Sequence, residues 1–83
     1  MERPRLAGHV RRQVDRVSGV AMLLFPEGAI ELSESADAVV GLCDGERSVT
    51  EIAAVLSERF DGVVEVDVRV VVEGLAERGL VVE

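Results

Sequence analysis

Apolar and polar positions alternate with a period of two over residues 9 to 15 and 29 to 33, on either side of a wholly apolar run, whereas from Ser33 onward apolar positions recur at three and four, so a strand-forming front precedes a helix-forming back. HVRRQVD (9 to 15) sets Val10 and Val14 on one face with Arg12 between them, and His9, Arg11, Gln13 and Asp15 on the other. That pattern predicts a half-buried strand. RVSG (16 to 19) is polar and ends in glycine, and VAMLLF (20 to 25) is apolar on both faces, as the central strand of a hairpin would be. Pro26, Glu27 and Gly28 make a turn. AIELS (29 to 33) then alternates Ile30 and Leu32 against Ala29 and Glu31, which predicts a third strand at the edge of an antiparallel meander.

Ala36, Val39, Val40 and Cys43 fall at i, i+3, i+4 and i+7, with Ser33 available as N-cap and Asp44-Gly45 as a stop, so a short first helix follows the strands. Ser48-Val49-Thr50-Glu51 fits a capping box, and Ile52, Leu56 and Phe60 continue along one face; a second helix is expected over about 49 to 60. Asp61-Gly62 breaks it. Val68, Val71, Val72, Leu75 and Ala76 then define the buried stripe of a third helix that stops at Gly79 before Leu80-Val81-Val82. Helix is preferred there despite the valines, because a stripe with a terminal glycine outweighs weak β propensity. A strand over residues 63 to 72 is the structural alternative. The order is three strands then three helices, an α+β fold with a winged-helix-like layout, and the 83 residues make one domain, 1–83.

A chain this short builds a core that offsets folding entropy by only a few kcal/mol. Hydrophobic residues are 48% of it, yet only Phe25 and Phe60 are aromatic, so the core is aliphatic and stacking platforms for bases are absent. The single cysteine excludes an internal disulfide, and MERPRLAG lacks the apolar stretch of a signal peptide, so a cytoplasmic location is expected. Val20 to Phe25 is far shorter than the roughly 18 residues that cross a bilayer, and no membrane contact is expected. The net charge of −7 is uneven: residues 1 to 30 hold five Arg against three acids, and residues 31 to 83 hold four Arg against thirteen. Such a back repels nucleic acid and suits a neutral or partly cationic partner.

No constellation of side chains suggests chemistry. Cys43 lies on the apolar stripe of the first helix and reads as a small buried hydrophobe; His9 reads as a surface residue. Asp44-Gly45 is a turn, since acids at 44 and 46 repel phosphate. Glu73 and Glu77 at i, i+4 read as a solvated helix face. The expectation is a non-catalytic protein with no cofactor and no metal. On the helical wheel of the third helix Val70 and Gly74 lie outside the core stripe, beside Asp67, Glu73 and Glu77, and hint at a contact surface.

Arg3-Pro4-Arg5-Leu6-Ala7, Val10-Arg11 with Asp15, Leu23-Leu24 with Pro26-Glu27-Gly28, Leu42-Cys43-Asp44-Gly45 and Glu51-Ile52 together resemble the PqqD family of pyrroloquinoline quinone (PQQ) biosynthesis. Their order and spacing extend over residues 3 to 60; after Asp61 the match is one of pattern. The family is similar to the recognition elements found across ribosomal peptide-modifying systems. The resemblance implies three antiparallel strands followed by three helices, and a protein that holds the precursor peptide PqqA for the radical SAM enzyme PqqE without supplying a catalytic group. It also implies that the peptide adds a strand to the third strand and leans on the third helix. The peptide-binding residues expected on that basis are Ala29, Ile30, Glu31 and Leu32 on the strand and Val70, Val71 and Gly74 on the helix.

An exposed edge strand supports such binding on physical grounds, because its unpaired amides and carbonyls can be completed by an extended peptide. The competing class is a winged-helix DNA-binding domain of the same element content. Across residues 48 to 79, however, seven acids face only Arg59, Arg69 and Arg78, whereas a groove-reading helix needs a positive surface. A small enzyme would need a nucleophile-base pair that the sequence lacks. An open edge permits monomer or dimer.

Overall fold

The structure is a computed structural model that describes residues 2–63 and 65–83. Its elements run β1 (Arg5–Leu6), β2 (Arg11–Val14), β3 (Ala21–Phe25), β4 (Gly28–Leu32), α1 (Glu34–Gly41), α2 (Val49–Ser57), α3 (Glu65–Glu77) and β5 (Val81–Val82). The expected meander is present as an antiparallel sheet in the order β2-β3-β4, followed by the three expected helices. β3 is central and completely apolar: Leu23 is fully buried, and Ala21 beside it joins Leu32 of β4 in the core. α1 packs against β3 and β4 and, on its other side, against α3, while α2 packs against α3. Ile52, Leu56, Val68 and Val72 fill the space between them.

Local chemistry sets the helix ends. Ser33 Oγ accepts the Ala36 amide at the start of α1. At α2 the capping box is complete: Ser48 Oγ accepts the Glu51 amide at 3.1 Å and Glu51 accepts the Ser48 amide at 2.9 Å. α3 closes in a Schellman turn, the Leu80 amide bonding to Leu75 O and the Gly79 amide to Ala76 O. Gly79 takes φ +75° there, a conformation that disfavours any side chain.

The turn expected over Pro26 to Gly28 is a two-residue loop, with Gly28 paired to Phe25 as the first residue of β4, and the structure differs from the sequence reading in four further places. Two two-residue strands, β1 and β5, form a second antiparallel sheet that ties the chain ends together, with Arg5 opposite Val82 and Leu6 opposite Val81. Leu80 and Val81 are buried there. In β2 the half-buried pattern fails: Val10 is buried but precedes the strand, and Val14 is 43% exposed because β2 is an edge strand beyond the reach of α1. Arg12, from the same face, instead reaches α1 and donates from Nε and Nη2 to the Asp37 carboxylate. α2 ends at Ser57 rather than near 60, its last amide bonds passing into a tight turn at Arg59 and Phe60. Finally, α1 ends at Gly41, so Cys43 lies two residues beyond the helix, although it is buried as expected. The strand alternative for 63 to 72 includes position 64, outside the described residues; from Glu65 the segment is helix.

Candidate functional site

The register of the sheet fixes which backbone groups of β4 are free. Phe25 and Gly28 flank a loop of only two residues, so they are the pair that exchanges both hydrogen bonds, and bonded pairs then alternate along the ladder. Leu23-Ile30 and Ala21-Leu32 are bonded pairs, whereas Leu24-Ala29 and Met22-Glu31 are not. Ala29 and Glu31 therefore direct their amides and carbonyls away from β3 to the open side of the sheet. Side chains follow the opposite logic of the pleat: Ile30 and Leu32 face the helices, and Ala29 and Glu31 face out and are exposed.

The sheet has a second edge, β2, and the two are unlike. β2 reads Arg11-Arg12-Gln13-Val14, a charged edge of the kind that discourages pairing, while β4 carries a single charge, Glu31. Where β4 runs into α1, a shallow pocket is lined by Val20, Ala21, Leu32, Ser33, Glu34 and Asp37.

On α3 the expected residues divide between two faces. Val70 is 66% exposed and Gly74 is exposed one turn later; Val71 is half-buried against the core. Val66, 64% exposed at i−4 from Val70, extends the outer ridge by a turn and was not singled out from sequence, although its spacing marks it. The strand residues and the helix residues are joined through α1, which packs against both elements. Glu73, Glu77 and Asp67 are exposed around the ridge.

Polar groups at the turn after α1 serve the fold. Asp44 accepts the amides of Glu46 and Arg47, and these bonds hold its carboxyl below the usual range and form the turn expected at Asp44-Gly45. Gly45 takes φ +82° and its amide bonds to Pro4 O. Burial, and then the charge of Asp44, push the Cys43 thiol up to about 11, so the sulfur is neutral at physiological pH. Among the described residues no three His, Cys, Asp or Glu side chains stand close enough together to hold a metal ion, and no helix is long and apolar enough to cross a membrane.

Fold and edge together define a small α+β domain that displays one open, weakly charged strand beside a helical bundle. Comparison with known proteins makes this specific. The family described as coenzyme PQQ synthesis protein D (PqqD) matches residues 21–81. The chain is 42% identical over 65 residues to the PqqA binding protein of Azotobacter vinelandii, covering 75% of this chain and 71% of that protein. It is 43% identical over 77 residues to the PqqA binding protein of Rhizobium meliloti, covering 89% and 79%. A bifunctional coenzyme PQQ synthesis protein C/D of Methylorubrum extorquens matches 90% of this chain at 36% identity, within 21% of its own length. The solution structure of the PqqD truncation of Methylobacterium extorquens PqqCD, described as a functional and stand-alone RiPP recognition element, superposes with TM-score 0.80 at 34% identity, over 96% of this chain and 88% of that one. The chain belongs to the PqqD family.

Proposed function

We propose that residues 1–83 act as a single, non-catalytic PqqD-like unit that binds the precursor peptide PqqA as an added strand on β4 and presents it to the radical SAM enzyme PqqE. The observation that carries the reading is the direction of the Ala29 and Glu31 backbone groups, which leave two amides and two carbonyls on the open side of β4. A peptide in extended conformation completes them, and the contrast with the charged β2 edge gives the peptide one preferred side of the sheet. Support for the partner comes from relatives named as PqqA binding proteins and from the solved recognition element of the same fold. Ile30 and Leu32 hold the edge against the core, and the outer ridge of α3 at Val70 and Gly74, with Val71 beneath it, offers apolar surface for side chains of the peptide. The work falls in the cytoplasm, where a ribosomal peptide is made.

Calorimetric titration with synthetic PqqA tests the binding step. Saturable one-to-one binding at micromolar concentrations or tighter is expected, and a folded protein that gives no heat at those concentrations contradicts it. Presentation is tested by adding PqqE: the peptide should be modified faster with this protein than without it.

A further inference from the structure

The register also fixes which side chains share the outer face of the sheet. At one level across the strands stand Arg11, Leu24 and Ala29, and at the next Gln13, Met22 and Glu31. α1 packs from the opposite side, and Met22 and Leu24 stay only half-buried although they lie in the central strand. Ala29 is too short to cover Leu24. Glu31 is exposed and, among the described residues, enters no ion pair; its neighbours in the turn and at the helix start, Glu27 and Glu34, have the same sign.

An added strand must obey the same pleat. In either direction its residues opposite Ala29 and Glu31 send their side chains to the outer face, exchanging hydrogen bonds with them directly when the peptide is antiparallel, and the residue between, opposite Ile30, points toward the helices. A side chain opposite Glu31 has its Cβ about 5 Å from that of Glu31, close enough for charge to discriminate. One opposite Ala29 can lie across the small methyl onto Leu24.

Resting on the strand-addition reading, we infer that the β4 edge selects a segment in which a Lys or Arg stands two residues from a large apolar residue, the cation beside Glu31 and the apolar side chain over Ala29 against Leu24. The spacing of two holds whether the peptide runs parallel or antiparallel to β4; only the order reverses. Glu31 is then the residue that sets the register of the peptide, because a slip by one residue would turn the cation inward toward the apolar core.

The test uses PqqA peptides carrying Lys, Gln or Glu at one position at a time, titrated against the parent protein, Glu31→Gln and Glu31→Lys. Glu31 is exposed, so both variants should melt with the parent. At one position the parent is expected to favour Lys over Glu by about two- to five-fold. Glu31→Gln should erase that preference and Glu31→Lys should reverse it, with the difference shrinking in high salt. Equal binding of the Lys and Glu peptides at every position in all three proteins overturns the inference and leaves strand addition standing. Absence of binding by the parent overturns both.

Discussion

Replacing Cys43 with serine separates a structural role of the sulfur from a working one. The side chain is 7% exposed, beyond the end of α1, within the cluster that includes Val39, Val40 and Val49. Its backbone amide is already bonded to Val40 O, and burial keeps the thiol protonated, with a pKa of about 11. Serine has nearly the same shape but carries a hydroxyl that demands a partner in an apolar pocket, at a cost of about 1 to 3 kcal/mol. In a domain of this size each kcal/mol moves the melting temperature by about 4–8 °C, so a mid-range loss of about 2 kcal/mol corresponds to about 12 °C. Cys43→Ala is the control: it removes packing on the order of 1 kcal/mol and introduces no polar group, so it should be the milder change. Urea unfolding and calorimetric melting measure the two variants, and titration with PqqA at low temperature measures their binding. Serine as stable as alanine would refute the desolvation argument. Loss of binding with an unchanged melting temperature would make Cys43 a working residue and refute the structural reading.

Two further outcomes follow from the caps and the carboxylates. Ser48→Ala removes one half of the α2 capping box and should cost about 1 kcal/mol in urea unfolding, with peptide binding retained, since α2 packs against α1 and α3 rather than β4. Asp37, held low by the Arg12 hydrogen bond, Asp44, held low by the Glu46 amide, and Glu51, held low by the Ser48 amide, all have folded pKa values depressed from the ordinary 3.8 for Asp and 4.5 for Glu. The unfolded chain therefore takes up protons more readily, so this stability is complete above the ordinary values and is lost as the pH falls through and below them; urea midpoints should be flat from pH 7 to about 5 and decline toward pH 3.

Much of the fold could be read from the sequence because it is written in local patterns. The period change at Ser33, the Ser48-Glu51 pair and the glycine at position 79 each correspond to a bond or cap in the structure. What escaped was non-local. β1 and β5 are two residues each, too short to show a period, and exist because the chain ends meet. Val14 repeats the apolar pattern of Val10, but whether a strand position is buried depends on which helix covers it, and α1 covers β3 and β4. The alternation in AIELS marked the edge strand without saying which pair of residues faced the open side. That choice was made by the two-residue loop at Pro26-Glu27, which fixes the register. On α3, the wheel separated Val70 and Gly74 from the core, while Val71 belongs to a different, half-buried face.

The most direct test of strand addition removes single backbone amides from β4. N-methyl residues introduced by ligation at 29, 30, 31 and 32 delete one donor each and keep the side chains, which proline would not. Methylation at Ala29 or Glu31 should leave the protein folded and weaken PqqA binding by at least about 1 kcal/mol, roughly five-fold, because those amides face the open edge. Methylation at Ile30 or Leu32 should instead unfold the sheet, since those amides bond to Leu23 and Ala21. The account is contradicted if the variants at 29 and 31 fold and bind PqqA as tightly as the parent, for the peptide would then have to be held on the helices alone.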